Sequence, residues 1–63
     1  SITAKRKEAG TQERIKIIDL MGRVVGEGEF PAEGTNANLN IEFLPSGVYN
    51  AIYGGKSHLF VKR

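Results

Sequence analysis

Side chains that could carry out chemistry are few and isolated. His58 is the only histidine, and a catalytic or metal-binding role would need a cysteine, a carboxylate or a second histidine beside it. Glu27 and Glu29 stand two residues apart, so both lie on one face of a strand. Paired carboxylates act as acid and base only if their surroundings give them different proton affinities. No apolar, buried setting is indicated around them, so we interpret His58 as a surface histidine and the two glutamates as a solvated face.

Two glycine-containing runs have some features of nucleotide-binding loops. Residues 54–57 (GGKS) end like a phosphate-binding loop, but the upstream glycine at the required spacing is missing and no helix follows. Residues 26–28 (GEG) are not followed by a helical pattern either. We interpret Gly54-Gly55 as a two-residue hairpin turn. The sequence therefore predicts no catalytic residue, no cofactor and no metal site.

Short strands must position these residues. No window repeats apolar residues at i, i+3, i+4 and i+7 over three turns. The apolar pattern changes parity at Ile18, which indicates a bulge or the end of a strand, and the glycines at 26 and 28 indicate a twisted or bulged edge. Alternation and turn residues together predict six antiparallel strands forming a sandwich or a small barrel: residues 1–6, 14–20, 23–30, 37–41, 48–53 and 56–62.

Length and composition exclude several classes of protein. The chain has 63 residues and no cysteine, so it forms one small domain or a piece of one, without disulfides. A chain this short argues against a self-contained enzyme with a deep cleft. No apolar run approaches the roughly 20 residues of a membrane span, so no membrane insertion is predicted. The chain begins with Ser1 and has no signal-peptide pattern, so we expect it to be a piece of a longer protein.

Basic residues cluster near the two ends, although the net charge is only +2. The clusters are Lys5-Arg6-Lys7 and Lys62-Arg63. Such clusters can bind nucleic acid or another polyanion, but no aromatic residue is interleaved with the first one to stack on a base. We interpret them as a solvated strand edge and a solvated terminus.

One motif predicts a definite local structure. Leu44, Gly47 and Tyr49 form a Leu-x-x-Gly-x-Tyr run immediately before a strand. This pattern is typical of a tyrosine corner, in which the tyrosine hydroxyl bonds to the main chain a few residues upstream. The predicted role of these three residues is structural.

Three segments taken together carry a family likeness. Residues 15–25 contain Asp-x-x-Gly-Arg-x-Val, residues 44–49 contain the corner motif, and residues 54–63 end in Phe-Val-Lys-Arg. In this order and spacing, residues 14–63 resemble the C-terminal sorting domain of the type IX (Por) secretion system of Bacteroidota.

The resemblance implies both a fold and a function. The implied fold is all-β, a small immunoglobulin-like antiparallel β-sandwich with Greek-key topology. Such domains are appended to secreted cargo, are read by the outer-membrane translocon and are typically removed by a surface sortase. The cargo crosses the periplasm and is then anchored at the outer-membrane surface or released. The domain itself would be neither an enzyme nor a cofactor-binding protein.

The chain departs from the family pattern in three places. The usual opening strand near a Pro-Asn-Pro segment is missing, so we expect the single domain spanning 1–63 to lack its first strand, with the cleavage site further upstream. Asn50 and Ala51 replace a larger apolar pair, and Leu59 stands where a lysine is common. An open sheet edge would invite pairing with a second copy, so a homodimer through that edge is a further predicted partner.

A secretion signal needs a surface that a partner protein can bind. We hypothesise that the last strand and the turn at Gly22 supply it, because these positions match the family and are mostly polar or at an edge. Core packing alone explains Ile15, Ile17, Leu39, Ile41 and Tyr49. Of Phe60 and Val61, one should face the core and the other a partner. The hypothetical translocon-recognition residues are Gly22, Arg23, Lys56, Leu59, Phe60, Val61, Lys62 and Arg63.

Other functions stay open at this point. A fibronectin-like or carbohydrate-binding module of a secreted enzyme would need exposed aromatic platforms, for which Tyr53 and Phe30 are the candidates since there is no tryptophan. A small nucleic-acid-binding barrel would need aromatic residues beside the basic ends, and the strands offer few. A position at the C-terminus of a longer cargo would favour the sorting domain.

Overall fold

Six strands and their turns make up the computed structural model, which describes residues 1–63. The chain has no helix, and therefore none that is long and apolar enough to cross a membrane. All six predicted strands are present, although the second ends at Ile18 and the fourth at Leu39, earlier than expected. The strands are β1 (Ile2–Lys5), β2 (Glu13–Ile18), β3 (Val24–Phe30), β4 (Asn36–Leu39), β5 (Gly47–Tyr53) and β6 (Lys56–Lys62).

The strands form two antiparallel sheets. One has the order β1-β4 and the other the order β3-β2-β5-β6. The alternate buried positions of the two sheets join in one apolar core, which gives a sandwich-like arrangement. The predicted all-β antiparallel sandwich is confirmed, and this strand order is consistent with the immunoglobulin-like detail, which stays a prediction.

The core lies between the sheets and follows the two-residue period of the strands. Phe30 and Ile15 are completely buried, and Ile17 and Leu39 are nearly so. The five residues assigned to the core from the sequence are all buried. The ten buried residues are Ala4, Ile15, Ile17, Phe30, Ala37, Leu39, Ile41, Leu44, Tyr49 and Ala51.

Two glycines of β3 allow the sheets to approach closely. A Cβ at Gly28 would collide with Cδ2 of Leu39, and a Cβ at Gly26 would lie 3.1 Å from the ring of Phe43. The predicted bulge is also present, because the pairing register between β2 and β3 shifts at Ile17 and Ile18. These glycines therefore do more than weaken an edge strand: Gly28 makes room for Leu39 of the second sheet, and Gly26 makes room for Phe43 in the loop after β4.

The tyrosine corner predicted from the sequence is confirmed. The Tyr49 hydroxyl donates a 2.6 Å hydrogen bond to the Pro45 carbonyl, and the buried Leu44 donates its N–H to the Ile41 carbonyl at 3.0 Å. The Tyr49 ring stacks on Phe60 with 5.7 Å between the ring centres. The corner thus ties the loop before β5 to both β5 and β6.

The Tyr49→Phe substitution should lower the free energy of unfolding by about 1 to 2 kcal/mol, because it leaves the Pro45 carbonyl without its partner. Urea unfolding of the two proteins measures the difference. Tyr53→Phe is the matched control on the same strand, since the Tyr53 hydroxyl has no comparable bond. Equal losses in the two variants would contradict the corner.

The Gly28→Ala substitution should cost about 1 to 3 kcal/mol, because the new methyl group forces Leu39 out of place. Thermal unfolding monitored by circular dichroism measures this loss. Glu29→Ala changes the neighbouring exposed residue of β3 and should stay within about 0.5 kcal/mol of the parent. A Gly28→Ala protein as stable as the parent would show that a methyl group fits at position 28 without displacing Leu39.

Candidate functional site

The residues singled out for acid–base or metal chemistry lie on the surface. Glu27 pairs with Arg14 at 3.2 Å, and Glu29 accepts a 3.3 Å hydrogen bond from Gln12. No group of three His, Cys, Asp or Glu side chains is close enough to hold a metal ion. The interpretation of the glutamates as a solvated face is confirmed.

The aromatic side chains near the end of β5 are already engaged with one another. Phe30 is fully buried, and Tyr53 meets its ring edge-on with 5.2 Å between the ring centres. His58 is exposed, as interpreted, and its ring stacks on the Tyr53 ring with 4.3 Å between the ring centres. Phe30 therefore cannot serve as the exposed aromatic platform that a carbohydrate-binding module requires.

A side chain organises the turn between β2 and β3. Asp19 Oδ1 accepts the N–H groups of Met21 and Arg23 at 2.9 and 3.0 Å, and Oδ2 accepts the Arg23 Nε–H at 2.9 Å. Gly22 has a φ of 83°, the left-handed region that a glycine adopts without strain. These hydrogen bonds fix the backbone of the turn. The side chains of Leu20 and Met21, which belong to it, are 71% and 80% exposed.

The same hydrogen bonds lower the pKa of Asp19. The backbone N–H of Arg23 is the largest cause of its lowered pKa; the Arg23 side chain and the Met21 N–H add to the effect, and desolvation opposes it. The ionised carboxylate is the form that accepts these bonds. The turn is therefore strongest when Asp19 is charged.

The last strand, β6, has two different faces. Phe60 packs against the core, and Lys62 Nζ donates a 3.0 Å hydrogen bond to the Leu44 carbonyl. Leu59 and Val61 point the other way and are 67% and 54% exposed. Phe60 faces the core, as predicted for one of Phe60 and Val61, and Val61 faces outward. That Val61 contacts a partner stays a prediction.

Strand pairing joins the outward residues of β6 to the turn. Ile18 pairs with Val24 on one side and with Asn50 on the other, and Asn50 pairs with Leu59. Directly paired residues share a face of the sheet. We call the resulting surface the outer apolar face; its apolar residues are Ile18, Val24, Val48, Ile52, Leu59 and Val61.

The eight hypothetical recognition residues do not form one patch. Gly22 and Arg23 lie at the turn that borders the outer apolar face, and Leu59 and Val61 lie on it. Phe60 and Lys62 face inward, and Lys56 lies opposite Tyr53 at the other end of the strand. Arg63 follows β6 and is exposed.

The hypothesis overlooked the two residues on β2 and β3. Ile18 and Val24 are apolar at outward positions of their strands. The parity change at Ile18 was the available signal, because it places an apolar side chain on the face opposite Ile15 and Ile17. An interpretation of this change only as a bulge or a strand end does not reveal the apolar face.

The interpretation of residues 5–7 as a solvated edge is wrong for Arg6. Its side chain is only 10% exposed. It donates to the carbonyls of Gly34 and Pro31 at 3.0 and 2.8 Å, pairs with Glu13 at 3.2 Å and lies over the Phe30 ring at 4.7 Å. The planar guanidinium covers the buried ring while its fork of N–H groups binds loop carbonyls, an arrangement that needs the tertiary fold.

These features define an all-β module that presents an exposed turn, an edge strand and an apolar face. Over residues 1–63 the chain matches the family described as "Secretion system C-terminal sorting domain". It belongs to this family of type IX secretion sorting domains. No curated protein and no solved structure matches the chain.

Membership establishes the general role of the chain. It is a sorting signal of type IX secretion, from a family whose role is not catalytic. Such a signal implies contact with the secretion machinery and a cargo exported to the cell surface or the extracellular space. The match includes β1, which lies outside residues 14–63, where the resemblance was drawn from the sequence.

In an NMR titration, Asp19 should show a pKa below the ordinary aspartate value, and Arg23→Gln should raise it only part of the way back. Part of the shift should persist because the N–H groups of residues 21 and 23 still bond the carboxylate. Since the folded pKa is the lower one, the turn's contribution to stability is present above the unfolded pKa and is lost as pH falls through the folded pKa.

The matched control for this titration is Arg14→Gln, because Arg14 pairs with Glu27 and not with Asp19. The control should leave the pKa of Asp19 unchanged. An ordinary pKa for Asp19 in the parent protein would contradict the bonded turn.

Proposed function

We propose that this domain directs its cargo through the outer-membrane translocon of the type IX system. The cargo waits in the periplasm, crosses the outer membrane and is then cleaved from the domain by a surface sortase, after which it is anchored or released. The observation that carries the proposal is the family match over residues 1–63. The single apolar core supports the proposal, because it holds the strands in fixed positions from which such a signal could be recognised.

We propose that residues 1–63 act as one sorting domain. The buried residues come from β1 to β5 and Phe60 of β6 packs against them, so every strand contributes to one core. The expectation that a first strand is missing stays a prediction.

The translocon, in this proposal, reads the outer apolar face together with the turn at Gly22 and Arg23. Val24, Leu59 and Val61 are each more than half exposed, and the core is complete without them. Clustered exposed apolar side chains are a common mark of a protein-binding surface. This function accounts for apolar residues at positions where folding alone would favour polar ones.

The edge of β6 adds main-chain groups to this surface. β6 pairs only with β5, so its other edge offers free N–H and C=O groups for strand addition by a partner. Arg63 follows β6 and adds an exposed positive charge at its end, whereas the charge of Arg23 is balanced by Asp19. Phe60 and Lys62 contribute indirectly, because their inward contacts fix β6 on the sheet.

The double substitution Leu59→Thr and Val61→Thr should reduce export of a fused reporter by roughly tenfold, the effect of losing central contacts of an interface. Threonine keeps the strand preference but removes most of the apolar surface. The reporter is quantified outside the cells and in the periplasm of a host with a working type IX system.

The matched control is Glu27→Thr and Glu29→Thr on the edge strand β3 at the other side of the same sheet. It should export normally. Thermal unfolding of both purified variants shows whether they fold. Normal export of a folded Leu59→Thr/Val61→Thr protein would refute the proposed surface.

A further inference from the structure

An apolar groove opens between the two sheets along the edges of β1 and β6, and Leu59 of the outer apolar face also lines it. Its volume is about 450 Å³, within the range of roughly 300 to 1,000 Å³ typical of ligand sites. Its apolar lining comes from four strands: Ile2 and Ala4 of β1, Leu39 of β4, Ala51 and Tyr53 of β5, and Leu59 and Phe60 of β6. The groove is therefore an opening into the core itself.

Unpaired sheet edges border this groove on both sides. β1 pairs only with β4, and β6 pairs only with β5. No hydrogen-bonded ladder joins β1 to β6. Main-chain donors and acceptors along both edges are thus left for a partner, and the groups that match their spacing are those of another extended polypeptide.

One end of the groove carries positive charge without a counter-charge. A second hollow of about 330 Å³ continues from it, sharing Lys5, Tyr53 and His58, and is also lined by Lys7 and Lys56. Glu13 is the one carboxylate there. Its two oxygens are taken by Arg6 and by the Gly54 N–H, and none of the protein's three ion pairs includes a lysine.

We propose that this groove binds an extended segment of a partner protein, apolar at alternate positions and acidic at one end. The segment adds to β1 as a strand, and its inward side chains enter the groove over Leu39 and Phe60. Its acidic end meets Lys5, Lys7 and Lys56. The free main-chain groups of the edges favour an extended peptide over other ligands, and the positive charge of the three lysines favours an acidic one.

The direction of the bound segment follows from the sheet it joins. Its neighbour pair, β1 and β4, is antiparallel, and antiparallel pairing is slightly the more stable per residue. β1 runs from Ile2 to Lys5, so an antiparallel partner enters beside Lys5. The acidic residues therefore lie at the amino-terminal end of the segment. This inference does not rest on the export function, which uses the outer apolar face and shares only Leu59 with the groove.

Titration of the isotope-labelled 63-residue protein with a synthetic peptide tests the proposal by NMR. The probe is an acetylated heptapeptide of two aspartates followed by Val-Thr-Val-Thr-Val. Saturable shifts are expected for the amides of β1 and β6, together with new protection of β1 amides from hydrogen exchange. Replacing the two aspartates by lysines should weaken binding by roughly tenfold.

Two controls separate the parts of the site. N-methylation of the peptide valines removes main-chain donors and should abolish binding. The variant Lys5→Glu/Lys56→Glu should prefer the lysine peptide over the aspartate peptide, because both side chains are exposed and their charge is reversed.

Several results would overturn the proposal. They are the absence of shifts at roughly 1 mM peptide, shifts confined to other strands, and equal binding of the two peptides. Protection of β1 amides without peptide, accompanied by a dimer in light scattering, would also overturn it, because a second copy would then fill the groove. Each result leaves the export assay unaffected, so failure here is distinguishable from failure of the sorting function.

Discussion

The close approach of the two sheets at Leu39 and Gly28 is the contact on which the rest of the structure depends. The Leu39 side chain occupies the space that a Cβ at position 28 would need. Only ten residues are buried, so a small domain like this one has little apolar burial to spare. A methyl group at position 28 would have to displace Leu39, one of the most deeply buried side chains of the core. Glycine in β3 is therefore a packing requirement of the sandwich.

The remaining contacts keep the loops closed over this small core. Arg6 covers Phe30 and binds the loop carbonyls of Pro31 and Gly34. On the other side, the Tyr49 hydroxyl and the Lys62 amine bind carbonyls of the loop before β5. Because the core uses only the inward face of each sheet, the outward residues are free to serve recognition. In the proposed function, stability and translocon recognition are thus assigned to opposite faces of the same strands.

Local sequence rules predict much of this fold. Alternation located all six strands, Gly54-Gly55 forms the predicted hairpin with φ values of 61° and 71°, and the corner motif predicts the bond from Tyr49. These features depend on residues close together in the chain. The role of Arg6 and the fit of Leu39 against Gly28 depend on segments far apart in sequence, so charge clusters and strand propensity do not show them.

The candidate site was predictable only in part, for a related reason. Motif likeness selected β6 and the turn at Gly22, but it could not tell inward from outward residues along β6. The strand pairing does so, and it adds Ile18 and Val24 from neighbouring strands. A face shared by several strands becomes visible only once their register is known.

The central claim is that this folded domain is by itself a sufficient signal for type IX secretion. The most direct test fuses residues 1–63 to a fluorescent reporter that carries a signal peptide, in a type IX host and in its translocon-deficient derivative. We predict that the reporter appears outside the first strain and stays in the periplasm of the second. Retention in the periplasm of both strains, with the domain folded, would contradict the claim.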